Sequence, residues 1–447
     1  MAFKKNYWSV IRRTFTKLIL RKTLVNGCII YCLALIGVVI YKYNFSANKK
    51  FPFDSDNNEI LKVSSLSDHK LFVSEYYEMR KYWQTSKLGS LLFKNETFDL
   101  QEQNKTFVIL VWKYWKWLKS RHVNFYGPRK DGRSILQECS VKNCVFTGDN
   151  SLINSVDAVL VHIMHGIYPK VQNRSINQKW VFLNDESPKY AFSKAAHVQH
   201  LKNWSNVFNW SMTYRSNADV PVPYGRTVAL DVPVKENVTY ESIAELIPNL
   251  QYKRSDVLVA VVMSNCHVSH RMKFLEELQK YIKIHIYGLC SPDRKERCKG
   301  HFREDCKDIN HYYFYLVMEN SMCRQYLSEK AFHLAYGKGA IPIILGPSLH
   351  DCKTLLPPNS FIHSDDFISY KVLADKIKSI INNVKDYLSY HLWRNHFKVL
   401  NEHGYFGSKS YHLCRLCEAL NYNDDKRKIY KLDDMRLFLD SNVLCML

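Results

Sequence analysis

The segment YFYLVMENSMCRQYLSEKAFHLAYGKGAIPIILG, Tyr313 to Gly346, constrains the fold of this 447-residue chain more than any other. Its run from Tyr313 to Met318 is apolar or aromatic and reads as a buried strand ending in the polar pair Glu319-Asn320. A helix-like segment opens at Tyr326-Leu327-Ser328-Glu329-Lys330, and a second apolar strand, Ala340 to Leu345, closes at Gly346. A strand–helix–strand unit of this kind sets its polar residues at the carboxyl end of the first strand and the start of the helix. Open parallel sheets bind ligands at that end, and a helix N-terminus with a lysine beside it suits a phosphate.

A second unit precedes it. Asp256 to Met263, DVLVAVVM, reads as a buried strand; Ser269 to Lys280 carries Phe274, Leu275 and Leu278 at helical spacing; Ile282 to Tyr287 returns as a strand. Two consecutive units imply a parallel, Rossmann-like sheet. Before a seam at 238–255, Thr106 to Trp112, Val156 to Ile163 and Trp180 to Leu183 read as short strands of another α/β layer starting at Lys105. The fold class is therefore α/β, in two such domains.

The N-terminal part has a different character. Thr23 to Tyr41 contains no charge and as a helix would span roughly 28 Å, close to the thickness of a bilayer core. Lys4, Lys5, Arg12, Arg13, Lys17, Arg21 and Lys22 precede it with no acid among them, which orients the N-terminus to the cytosol. The segments expected are a cytosolic tail 1–22, a signal-anchor 23–41 and a polar stem 42–104. A cleaved signal peptide fits less well, because the apolar core is long and no clear cleavage site follows. N-x-[ST] sequons at Asn44, Asn95, Asn104, Asn173, Asn203, Asn209 and Asn237 agree with lumenal placement, although Asn44 lies too near the bilayer for modification. So do 13 cysteines, of which the odd number beyond the anchor leaves at least one free or paired between chains. A net charge of +21 is spread along the chain and interleaved with acids; without a recognisable nucleic-acid module it does not point to nucleic acid.

The text of the two strand–helix–strand units resembles the α1,3-fucosyltransferases, whose signature runs close to F-x-x-x-F-E-N-S, D-Y-[VI]-T-E-K and V-P-V-V-L-G. Leu327-Ser328 stands here in place of the commoner Val-Thr or Ile-Thr. The resemblance extends over about residues 105–420 through SNC followed by Arg271, QKWVFLNDESP (Gln178 to Pro188) and FNWSMTYRSNADVPVPYG (Phe208 to Gly225). It implies a GT-B architecture, two Rossmann-like domains facing a cleft: an acceptor-binding domain 105–245, a GDP-fucose-binding domain 246–425 and an extension 426–447. It further implies that Arg271, Asn320, Tyr326 and Lys330 hold the diphosphate and nearby groups. Glu329 would accept hydrogen bonds from sugar or ribose hydroxyls. Glu186 would be the general base that deprotonates the acceptor hydroxyl. Taken alone, Arg271 or the Glu329-Lys330 pair would more often be a solvated helix face, and Glu186 would as often cap the turn before Pro188 as act as a base. Asp185, where the family usually has an aromatic residue, places a second carboxylate beside Glu186; in extended backbone only one of the two can face the cleft.

The expected function is inverting transfer of L-fucose from GDP-β-L-fucose to an N-acetylglucosamine hydroxyl of a glycoprotein glycan in α1,3 linkage, by a single-pass type II Golgi membrane enzyme. No metal is required in this reading, since no Asp-x-Asp motif lies outside the stem; a divalent cation would at most stimulate. Cys139, Cys144, Cys414 and Cys417 read as disulfide partners rather than zinc ligands. The alternatives are a GT-B transferase using another nucleotide sugar and an inactive lumenal glycan-binding relative. The topology is testable in intact microsomes: protease should leave the body protected and glycosylated, and a digested, unglycosylated body would overturn lumenal placement.

Overall fold

Strand β1 (Phe107–Val111) is FVILV, with four of its five residues buried, as a strand covered on both faces requires. It starts a six-stranded sheet with β2 (Cys144–Thr147), β3 (Ala158–His162), β4 (Lys179–Asn184), β5 (Trp210–Thr213) and β6 (Val220–Pro221). The strands lie in the order β2-β1-β3-β4-β5-β6, and every pairing is parallel. After β7 (Gly225–Ala229), a second sheet is built from β8 (Val259–Val262), β9 (Ile284–Tyr287), β10 (Phe314–Met318), β11 (Ile341–Leu345) and β12 (Ile362–His363). Its order is β12-β11-β10-β8-β9, again all parallel. Each sheet reverses its winding beside its first strand, between β1 and β3 and between β8 and β10. Crevices at such switch points are where doubly wound sheets bind ligands.

The computed structural model describes residues 66–122, 135–172, 174–293, 298, 304–424 and 428–446. All of them belong to one compact unit, Glu59–Leu447. The expected anchor at 23–41 lies outside the described residues, and among those described no helix is long and apolar enough to cross a membrane.

Three segments depart from the sequence reading. The stem expected at 42–104 is folded from residue 66 onward, with helices Leu66–Glu78 and Lys87–Leu92. Tyr76 joins the core of the second sheet, and Leu88 that of the first. Arg80 donates to the Thr354 carbonyl at 2.7 Å. The polar composition concealed two apolar pairs at helical spacing, Phe72 with Tyr76 and Leu88 with Leu92. Next, helix His412–Tyr422, placed by the sequence within the second domain, packs Leu413, Leu416 and Ala419 into the core of the first sheet. Finally, the extension after residue 426 is no appendage: Tyr430, Met435, Phe438 and Leu439 line the other core cluster of the first sheet.

A two-stranded antiparallel ribbon of β7 with β13 (Phe397–Asn401) accompanies this return. Gly225 begins β7 where any Cβ would collide with the Phe332 ring and the Leu400 carbonyl. Arg226, 2% exposed, reaches Glu402 through two 3.0 Å hydrogen bonds and the Glu96 carbonyl at 2.8 Å. Arg415 adds a second cation 3.4 Å from the same carboxylate. Burial alone would raise the Glu402 pKa; the two guanidinium groups outweigh it and hold the carboxyl below its ordinary value.

Ten of the eleven cysteines beyond residue 41 pair: Cys139–Cys414, Cys144–Cys417, Cys266–Cys290, Cys298–Cys306 and Cys323–Cys445. Cys352 stays a buried thiol. Cys139–Cys414 closes a loop of 275 residues. On the chain-entropy estimate a loop that long contributes about 5.6 kcal/mol. Peptide mapping under non-reducing conditions should recover 139–414 and 144–417 linked crosswise, and Cys139→Ser should sharply lower the thermal midpoint. Recovery of 139–144 and 414–417 as internal links would contradict this pairing.

Candidate active site

Strand β10 ends at Met318, and the two residues after it divide the work. Glu319 is fully buried, and its carboxylate is gripped locally. Ser328 donates through its backbone N–H at 2.8 Å and its hydroxyl at 2.8 Å, and Lys330 Nζ lies 3.2 Å away. Lys330 also donates to Ser328 Oγ at 2.8 Å and to Glu329 Oε1 at 3.2 Å. Burial works against the Lys330 charge, but Glu319 and Glu329 outweigh it and raise its pKa. The sequence reading gave this helix start to a phosphate. In the structure the anion held by Ser328 and Lys330 is the protein's own Glu319, and the helix opens later, as a π-helix over Lys330–Ala335. Turns of this type recur at functional sites.

Arg271 follows β8 on helix Ser269–Gln279 and is 5% exposed. Its Nε donates to the Glu319 backbone carbonyl at 2.9 Å, bridging the crevice between β8 and β10 where the sheet reverses. Its positive charge opposes that of Lys330 and works to lower the lysine's pKa, so two cations flank one strand end.

Asn320 and Tyr326 face the other sheet. Strand β4 closes at Asn184, and Glu186 stands two residues on. Its Oε1 accepts from Asn320 Nδ2 at 3.2 Å, from the Tyr326 hydroxyl, and from the Ser187 backbone N–H at 2.9 Å. Ser321 donates to Ser187 Oγ at 2.5 Å, a second link between the same strand ends. Burial first, then the Glu186 carboxylate, push the Tyr326 phenol well above its ordinary pKa, so it donates as a neutral hydroxyl. Gln325, just before it, sits in the left-handed region at φ 56°. That conformation is strained for a glutamine. It is held by hydrogen bonds from Gln325 N–H to Asp351 at 3.0 Å and from the Ser216 backbone N–H to Gln325 Oε1 at 3.0 Å. Cys323, in the same loop, bonds to Cys445 after the helix Ser441–Leu444.

The structure thus brings Glu186, Asn320 and Tyr326 into direct contact, and groups Arg271, Glu329 and Lys330 around Glu319. Asp185 takes the opposite side of the strand end. It is 1% exposed, with Arg121 Nη1 at 3.2 Å. Tyr224 donates to its backbone carbonyl at 2.9 Å. Of the two adjacent carboxylates, only Glu186 faces the other sheet. Sequence reasoning missed Glu319, whose E-N-S context was in view but whose partners lie nine and eleven residues on. It also missed Tyr224, which with Tyr214, a cleft residue expected from the Phe208–Gly225 segment but given no role, packs edge-on against Tyr326. A separate cavity of about 420 Å³, lined by Arg174, Gln178 and Asn209, opens at the amino ends of β4 and β5, away from these contacts.

Two family profiles match the chain: "Fucosyltransferase, N-terminal" over residues 104–225 and "Glycosyltransferase family 10 (fucosyltransferase) C-term" over 252–435. The 4-galactosyl-N-acetylglucosaminide 3-alpha-L-fucosyltransferase 9 of Bos taurus is 31% identical over 350 residues, covering 76% of this chain and 84% of its own. The chain belongs to the α1,3-fucosyltransferases of glycosyltransferase family 10. Glycoprotein 3-alpha-L-fucosyltransferase A of Drosophila melanogaster is 30% identical over 68% of this chain and 57% of its own. A crystal structure of an α1,3-fucosyltransferase with GDP-fucose aligns over 80% of the chain and 95% of its own at 16% identity, with a TM-score of 0.43. So loose a likeness adds nothing to the assignment. In the transferase Glu186 follows β4, Asn320 follows β10, Arg271 lies on the helix after β8, and Tyr326, Glu329 and Lys330 lie between β10 and β11.

Because Glu319 is wholly buried, Lys330→Ala strands its carboxylate. Breaking a buried pair in this way costs on the order of 3–5 kcal/mol. Equilibrium urea unfolding should show that loss, and a midpoint equal to wild type would remove Lys330–Glu319 as a structural pair.

Proposed function

We propose that this enzyme transfers L-fucose from GDP-β-L-fucose to a hydroxyl of N-acetylglucosamine in a glycoprotein glycan, with inversion to the α1,3 linkage. The observation that carries the reading is the Glu186 carboxylate, set at the end of β4 and met across the sheets by Asn320 and Tyr326. Both sheets direct their carboxyl ends to this junction, the arrangement expected of a GT-B enzyme.

The chemistry follows from charge. The acceptor hydroxyl attacks the anomeric carbon from the face opposite GDP, the C–O bond to the β-phosphate breaks, and Glu186 takes the hydroxyl proton. Three donors fix the carboxylate before the acceptor arrives, which removes reorientation cost at the moment of attack. The leaving diphosphate gains negative charge, and Arg271 with Lys330 supplies the cations beside it. An Arg fork matches phosphate oxygens in a bidentate contact. These side chains do the work a divalent ion does elsewhere, so transfer needs no metal and a cation at most stimulates it. Glu329, 10% exposed at its side chain and 3.2 Å from Lys330 Nζ, would accept hydrogen bonds from donor hydroxyls. The uncharged span 23–41 then anchors the enzyme in the Golgi membrane with its body in the lumen.

Glu186→Gln preserves shape but takes no proton at neutral pH, so kcat should fall by about 10²–10⁴ while GDP affinity holds. Arg271→Ala should do the reverse, weakening GDP binding by roughly 10- to 150-fold for a charge-assisted contact. Steady-state transfer and calorimetric titration with GDP separate the two. A Glu186→Gln enzyme with wild-type turnover would exclude Glu186 as the base.

A further inference from the structure

The loop from Asn320 to Ser328 contains no helix or strand of its own, yet it presents Asn320 and Tyr326 to the one carboxylate of Glu186. Its middle is held by the last residues of the chain. Cys323, with no exposed surface, is bonded to Cys445, and the two segments run antiparallel through that point. Arg324 N–H donates to the Leu444 carbonyl at 2.8 Å, and Met446 N–H to the Met322 carbonyl at 2.8 Å. Three successive loop residues, Met322, Cys323 and Arg324, are thus tied to the tail. Beside them Gln325 keeps its left-handed backbone at φ 56°, a conformation that persists only while its surroundings impose it.

The tail is held in turn by the first sheet. Helices Leu432–Leu439 and Ser441–Leu444 both pack against the turn Pro188–Tyr190, which begins two residues after Glu186. Phe438 and Leu439 enter the core of that sheet. Arg215, 6% exposed, donates from Nη1 to the Leu437 carbonyl at 3.2 Å. Its neighbour Tyr214 donates to the Arg324 carbonyl at 3.4 Å, and Ser216 N–H donates to Gln325. The Tyr-Arg-Ser run after β5 therefore reaches the loop, the tail and the loop again. One segment touches both sides of the junction: the turn behind Glu186 and the loop in front of it.

We propose that Cys445, at the end of this tail, is a positioning residue for the transfer reaction, holding Asn320 and Tyr326 against Glu186 through Cys323. The inference rests on Glu186 as the base. Freed from the tail, the loop regains backbone freedom that the meeting with Glu186 must take back in every turnover. A misplacement of about 1 Å at a reacting group costs on the order of 10²-fold in rate. The cation array is spared, because Glu319 holds Arg271 and Lys330 without help from the tail. Loss of the bond therefore acts on turnover and leaves the affinity for GDP in place.

The test compares full-length wild type and Cys445→Ser, both in detergent and well below their thermal midpoints. In the variant kcat should fall on the order of 10²-fold, while the calorimetric Kd for GDP stays within about twofold of wild type. Amide hydrogen exchange with GDP bound should accelerate over 320–326 and not in β4 or β10. Exchange reads the loop without reference to turnover, so a failed base assignment and a failed tie give different results. Wild-type kcat in Cys445→Ser would overturn the inference, and so would unchanged exchange over 320–326. A GDP affinity that falls in step with kcat would also overturn it, by showing general damage to the fold. Should Cys445→Ser fail to fold, the bond is opened in folded wild type with a phosphine reductant, and the state of each of the five disulfides is counted by differential alkylation. Turnover should then be lost in proportion to the opened 323–445 bond, and loss that tracks another bond would overturn the inference.

Discussion

Everything else in this molecule serves one contact, the meeting of two strand ends at Glu186. Neither sheet alone completes the constellation: the first supplies the carboxylate after β4, and the second supplies Asn320 and Tyr326 after β10. Parallel sheets are suited to this, because all their strands finish on one edge and their helices start there. The junction is also braced away from the carboxylate, by Ser187 with Ser321 and by Ser216 with Gln325. Those polar pairs are buried, so each depends on the other half of the molecule for its partner.

A second constraint is local and electrostatic. Glu319 sits in the core at the end of β10, and a charge placed there must be met in full. Ser328 and Lys330 meet it, and Arg271 holds the carbonyl of the same residue. The consequence is an ordered array of cations whose positions are fixed before any anionic ligand arrives. Preorganisation of this kind is how enzymes stabilise developing charge without moving dipoles during the reaction.

Much of this was legible in the residues, for identifiable reasons. β1, β3, β4, β8, β9, β10 and β11 are apolar runs flanked by polar residues, and all but β4 lie within the span their runs predicted; β4 exceeds its span, Trp180 to Leu183, by one residue at each end. β2, β5, β6 and β12 are short and carry Ser, Thr, Pro or His, so no period marks them. The folded segment at 66–92 was hidden by its Lys and Ser content, since burial there rests on a few large side chains. The helix start at Tyr326 to Lys330 was misplaced because a carboxylate seven to eleven residues upstream, Glu319, organises the turn. The crowding of four histidines about Asp185 could not be read at all. Those residues lie at 122, 162, 403 and 412, and only the return of the chain assembles them. The Asp at 185 was the single visible sign, as the one position in its motif that broke pattern.

That return bears on how the protein is made. The first sheet is complete in sequence by residue 221, yet its flank waits for helix His412–Tyr422 and its last cover for Tyr430 to Leu439. At usual rates of synthesis the intervening chain takes roughly 10–40 s to emerge. For that interval a nascent sheet stands with apolar faces bare and Cys139 and Cys144 lacking their mates. The chain is thus a vectorial problem for the cell: its first domain matures last, and its final residues act as the clasp.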